Sequence, residues 1–199
     1  MDYYRDRLIG ILSALDGARR LGKRPVTDVL KKEIGYGERE TILKSTEGWE
    51  QFGRFDTWGG RETHVCFRTT ISIPKEWEGE TVVVTLCTGV TDIWNTDNPQ
   101  FLVYINGNIV CGQDMNHNEV ILTDCAKAGE VFEYGLYAYS NSAARDVFLL
   151  LDMAVLQKQV EELYYDMKVP FEIASLLKTD DVRRTEYFKL LNEAANKLN

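Results

Sequence analysis

An antiparallel β-sandwich with helices at both ends is the fold class this sequence predicts, and three observations predict it. Between residues 45 and 155 apolar residues recur with a period of two: Phe67, Ile71 and Ile73 alternate with Arg68, Thr70 and Ser72. Asn106-Gly107 separates two β-branched runs, the strongest short-range hairpin signal, because a type I′ turn needs positive φ at both central residues. No helix-length crossover divides the strand-like runs, which disfavours a parallel sheet.

The elements follow in order. Residues 1–44 read as a helical or irregular lead. Tyr4, Leu8, Ile11 and Leu12 recur at helical spacing, and Val26, Val29, Leu30 and Ile34 do so again after Pro25, a residue suited to a helix start. Gly35 and Gly37 end that pattern. Residues 45–155 form the sandwich, with strands expected near 67–73, 81–88, 101–105, 108–111, 119–123, 131–139 and 147–156. Gly, Asn, Asp and Pro divide these runs, as they do in sandwiches and jelly rolls. Residues 156–199 return to helix: Leu156, Val160, Leu163 and Met167 step by helical intervals. Pro170 is expected to break that helix or open a short new one. After the capping pair Thr179-Asp180, the residues Tyr187, Leu190, Leu191, Ala194 and Leu198 make an apolar stripe. The stripe runs to the end of the sequence without a cap, so the natural chain is expected to continue.

The totals exclude several classes. Of the residues, 44% are apolar and 27% charged, the proportions of a globular domain, and no run approaches a membrane span. The net charge is −8, spread unevenly: residues 1–44 hold 10 Lys/Arg against 7 Asp/Glu, and the rest 13 against 24. An acidic body argues against nucleic acid, which is bound mainly by cations that neutralise phosphates. Charges in the first twenty residues interrupt any secretory signal, so a cytoplasmic location is expected. Cys66, Cys87, Cys111 and Cys125 form no close pair, so they read as reduced core residues rather than zinc ligands.

Three segments resemble the N-terminal region of family 38 glycoside hydrolases, the α-mannosidases, of the bacterial and cytosolic branch. The first runs from Trp58-Gly59-Gly60-Arg61 through Glu62, His64 and Phe67-Arg68, with Cys66 where the family tends to carry an aromatic. The second holds Trp94, Asn98-Pro99-Gln100, Tyr104-Ile105-Asn106-Gly107, Gly112, Asp114 and Asn116-His117-Asn118-Glu119-Val120. The third is Leu163-Tyr164-Tyr165-Asp166 with Leu190-Leu191-Asn192-Glu193-Ala194. The resemblance covers about residues 45–199. It implies a galactose-binding-like, jelly-roll-like accessory sandwich, followed by a helical connector towards a catalytic domain beyond this sequence. It also implies that the parent is a zinc-dependent, retaining enzyme that hydrolyses terminal α-mannosides in carbohydrate catabolism. Its zinc and nucleophile would belong to a His-x-Asp motif in that following domain. Neither His64 nor His117 has Asp two places on, so no catalytic residue, metal ligand or cofactor is assigned here.

The residues themselves leave alternatives open. Asp92, Asp97, Asp114 and Glu119 are the loop acids a glycosidase pair would draw on, with separations of about 5–9.5 Å, yet with so many acids some pair meets that spacing by chance, and solvated surface acids are favoured. His117 and Glu119, two apart and close to Asp114 and Asn116, suit either a hard cation or turn chemistry, and turn chemistry is favoured. Trp58, Arg61, Trp94, Asn98, Gln100, Asp114, Asn116 and His117 form a candidate rim of loops and strand ends. That rim reads either as an interface with the catalytic domain of the same chain or as a mannoside-binding site. The alternative for each Trp is a plug in the core. A homo-oligomer is a further partner this reading admits.

Overall fold

The computed structural model describes residues 2–90, 99–141 and 146–198. The expectations placed on Asp92, Trp94, Asp97 and Asn98 therefore lie outside the described residues. Helix α1 (Asp2–Ala18) leads into strands β1 (Arg20–Pro25) and β2 (Val29–Ile34), then a 3-10 turn (Arg39–Leu43). Next come β3 (Glu50–Phe52), β4 (Thr57–Gly59), β5 (Thr63–Ser72) and β6 (Val82–Cys87). The hairpin β7 (Gln100–Ile105) and β8 (Asn108–Gln113) precedes β9 (Glu119–Thr123), β10 (Val131–Ser140), β11 (Asp146–Phe148) and β12 (Leu150–Leu156). Helices α2 (Lys158–Leu176) and α3 (Val182–Ala195) follow.

Three antiparallel sheets result, ordered β1-β12-β6-β9, β3-β2-β5-β10-β7-β8 and β11-β4. The core lies between the two larger sheets. Val82, Val84, Leu86 and Leu151 from one meet Val65, Phe67, Val103 and Leu136 from the other. Each of these side chains is almost fully buried, which is worth roughly 1.5–3 kcal/mol apiece. Asn106 and Gly107 take φ values of 50° and 79°, the mirror-image turn their pairing calls for. The Asn106 side chain then accepts a hydrogen bond from the Glu133 backbone N–H at 2.9 Å, pinning the hairpin tip to β10.

The structure corrects three expectations. The segment 26–34 is not helical: its residues 29–34 form β2, which pairs with both β3 and β5. Leu30 and Ile34 are four apart, and an interval of four keeps side chains on one face of a helix and of a strand alike. Val26 and Val29 enter the inner core, whereas Leu30 and Ile34 join a smaller cluster on the sheet's outer face. Next, α2 runs straight through Pro170. Packing of Met167, Phe171 and Ala174 against α1 and α3 offsets the hydrogen bond that the ring cannot donate. Finally, only Cys66 of the four free cysteines is buried, while Cys87 and Cys125 are exposed, one ending β6 and the other following β9. Burial pushes the Cys66 thiol up to about 12, so it behaves as a small neutral apolar group.

The chain divides into two compact units, residues 22–155 and residues 1–21 with 156–199. In the second unit the three helices share a core of Leu8, Met167, Ala174, Phe188, Leu191 and Ala195. Asp181, one residue later than expected, caps α3 by accepting from the Arg183 N–H at 2.9 Å. No helix among the described residues is long and apolar enough to cross a membrane.

Arg19 ties α1 to α2. It is only 5% exposed, pairs with Asp16 and Glu161 at 2.7 Å each, and lies over the Tyr164 and Tyr165 rings at 4.5 and 5.0 Å. Burial works to lower its pKa, but the bonds to Glu161 and Asp16 outweigh that and hold the guanidinium charged. Arg19→Ala leaves Glu161 without its cation and empties the space between the helices. The expected loss is about 2–3 kcal/mol, less than for a fully buried pair because both carboxylates reach solvent. Urea unfolding followed by circular dichroism checks this, and a loss below about 0.5 kcal/mol would contradict it.

Candidate functional site

The expected rim residues that are described, Trp58, Arg61, Gln100, Asp114, Asn116 and His117, lie towards one end of the sandwich, but with different roles. That end carries the start of β5, the end of β10, the start of β7 and the end of β8. Arg61 is exposed there, in a sharp loop where Gly59, Gly60 and Glu62 all have positive φ (134°, 99° and 54°). The Glu62 N–H donates to the Asn141 carbonyl at 3.2 Å and so anchors that loop. Gln100 is exposed at the head of β7.

Asp114, Asn116 and His117 make the turn between β8 and β9. Asp114 Oδ1 accepts from the backbone N–H groups of Asn116 (2.8 Å) and His117 (2.7 Å) and lies 3.2 Å from His117 Nδ1. Burial alone would raise the Asp114 carboxyl, but these bonds outweigh it and hold it below the usual range. This is turn chemistry of the Asx type. The His117 ring projects into solvent, its side chain 80% exposed. Among the described residues no group of three or more His, Cys, Asp or Glu side chains is placed to hold a metal ion.

Trp58 does not belong to an exposed rim. It is 3% exposed and packs edge-on against Phe67 and Phe101, with centroids 5.3 and 5.6 Å away. Its short strand β4 pairs with β11, so the indole closes the end of the core. It is held there for its apolar area, since its Nε1 finds no hydrogen-bond partner among the described residues.

The residues that sequence reasoning missed lie on the outer face of the six-stranded sheet. Pairing aligns Ile34, His64, Tyr139 and Gln100 in one row across β2, β5, β10 and β7. The next row is Lys32, Cys66, Tyr137 and Leu102, and the third is Leu30, Arg68, Gly135 and Tyr104. His64 stacks on Tyr139 (4.9 Å, 27°) and Tyr137 (5.8 Å, 9°), and Tyr36 meets its edge at 5.7 Å. The Tyr137 hydroxyl shares a hydrogen bond with His64 Nδ1 at 2.7 Å, and the Tyr139 hydroxyl donates to Glu62 at 3.0 Å. The bond to Glu62 raises the Tyr139 pKa, and burial raises that of Tyr137, so both phenols stay neutral. Segment 39–49 covers the inner rows through Ile42 and Trp49. A cavity of about 110 Å³ remains beside it, lined by Leu43, Arg68, Tyr104, Asn106 and Glu133 among others. The signal was present in the alternation itself, since His64, Cys66, Tyr137 and Tyr139 occupy the positions that do not face the core.

These features define an antiparallel β-sandwich flanked by terminal helices. The sequence matches no protein-family model and none of the curated proteins. Among solved structures the chain is similar to a β-glucuronidase from Ruminococcus gnavus in complex with C6-substituted uronic isofagomine, at 12% identity and a TM-score of 0.46. That similarity covers 69% of this chain and 29% of the other. An uncultured Clostridium sp. β-glucuronidase is similar at 11% identity and a TM-score of 0.46, over 68% of this chain and 29% of that one. The chain thus spans less than a third of the length of these glycoside hydrolases.

Seating Trp58 in the core has a measurable consequence. Trp58→Ala should cost about 3–5 kcal/mol in denaturant unfolding, the range for a large buried aromatic. A cost under about 1 kcal/mol would return Trp58 to the surface.

Proposed function

We propose that this chain is the accessory β-sandwich region of a family 38 α-mannosidase. It is not catalytic by itself, and it packs on the catalytic domain of the same parent chain through its last helix. The ordered motifs around Trp58–Arg68 and Asn98–Val120 support the family, and the parent's hydrolysis of α-mannosides and its zinc belong to the domain beyond this sequence.

The observation that carries the docking role is the outward face of α3. Phe188, Leu191 and Ala195 turn into the helical core, yet Tyr187, Leu190 and Leu198 stay exposed, Leu190 at 55%. Tyr187, Leu190 and Ala194 lie at intervals of three and four, so they form one stripe along the helix, and Leu198 follows just past its end. A groove beside Tyr187 and Leu190 is edged by Arg183 and Glu186. Exposed apolar stripes rimmed by charge mark contact surfaces. In the absence of the catalytic domain, the same stripe gives self-association its surface.

An environment-sensitive naphthalene sulfonate dye and sedimentation equilibrium test this reading on the wild type and on Leu190→Lys. The wild type should bind dye or self-associate. Leu190→Lys should do so several-fold less while keeping its stability within about 0.5 kcal/mol, as surface changes do. A wild type that is monomeric and takes up no dye would overturn the docking role.

A further inference from the structure

We propose that the outer row of the six-stranded sheet is a saccharide-binding platform that takes a pyranose ring. It is separate from the α3 stripe and does not rest on the docking role above. The solvent face of an antiparallel sheet is ordinarily polar. Here it carries Tyr36, His64, Tyr137 and Tyr139, and the cluster built on Ile42 and Trp49 of the covering segment takes in Cys66, Tyr104 and Ile34 but neither His64 nor Tyr139. The row of Ile34, His64, Tyr139 and Gln100 lies one step further out. Tyr36 beside it is 90% exposed, which no core role explains.

The arrangement selects the chemistry of the ligand. His64 stacks on one face of Tyr139, so the opposite ring face is turned towards β7, where Gln100 stands. A pyranose laid on that face meets an aromatic surface with its C–H groups. Its hydroxyls meet a carboxamide on Gln100 and a carboxylate on Glu62, which is already oriented by the Tyr139 hydroxyl. Between them these groups supply the donors and acceptors that hydroxyls need. The row spans four strands, about 14 Å at the usual strand spacing, which is room for more than one sugar unit. A quaternary ammonium would need rings turned inwards as a box. Here His64 lies within 9° of Tyr137 and 27° of Tyr139, and Tyr36 alone stands across it at 64°, so the rings form an open surface rather than a box.

The test is calorimetric titration of the whole chain with methyl α-D-mannopyranoside, methyl β-D-glucopyranoside, mannobiose and, separately, choline chloride. At least one saccharide should bind saturably. Tyr139→Ala should weaken it about tenfold. Gln100→Ala, an exposed strand-end change that leaves the core intact, should weaken it several-fold. Leu190→Lys should bind sugar as the wild type does, which separates this site from the docking stripe. Three results would each overturn the proposal: no saturable binding of any of the sugars at tens of millimolar, binding of choline in their place, or sugar binding unchanged in both Tyr139→Ala and Gln100→Ala.

Discussion

The ten-residue pairing of β5 with β10 is the constraint on which the sandwich depends. It runs from Thr63 opposite Ser140 to Ser72 opposite Val131 without a break. One side of this ladder presents Val65, Phe67 and Ile71 with Phe132, Leu136 and Ala138 to the inner core. The other presents His64 and Cys66 with Tyr137 and Tyr139 to the outer face. A slip of one residue would exchange the two faces, so core and platform share a single register. Gly135 takes part in the same constraint. A Cβ there would come within 2.9 Å of the Ile42 side chain, so glycine lets segment 39–49 settle on the outer face and cover its inner rows.

Much of the sandwich was legible because period-two patterning and turn chemistry are local. The run 67–73 falls on β5 except for its last residue, 119–123 is β9, and Asn106-Gly107 makes the turn between β7 and β8. What misled was spacing shared by two structures. Leu30 and Ile34 fit a helix and a strand equally, and only pairing with β5, which is remote in sequence, decides between them. Likewise, tertiary packing carries α2 through Pro170, which local rules take as a break.

The candidate site was legible in part. Arg61, Gln100 and the Asp114–His117 turn do gather at one end of the sandwich, as loop positions suggested. Trp58 is a core plug, because a large aromatic beside Phe67 and Phe101 gains more from burial than from exposure. The outer row escaped notice because its members come from four strands and meet only through register. Tyr36 and Tyr139 carry no signal in the sequence, and only the fold brings them beside Glu62 and His64. The helical unit adds the second exposed surface, the α3 stripe, whose buried opposite face is spent on the three-helix core.

An accessory role in a larger glycoside hydrolase requires a catalytic domain to serve. The nucleotide sequence of the gene immediately downstream of codon 199 tests this most directly. If this chain is the N-terminal region of a family 38 enzyme, the reading frame continues into a long α/β-patterned segment that opens with a His-x-Asp motif. A stop codon at that point, or a continuation without such a motif, would contradict the accessory role and leave binding at the chain's own surfaces as its function.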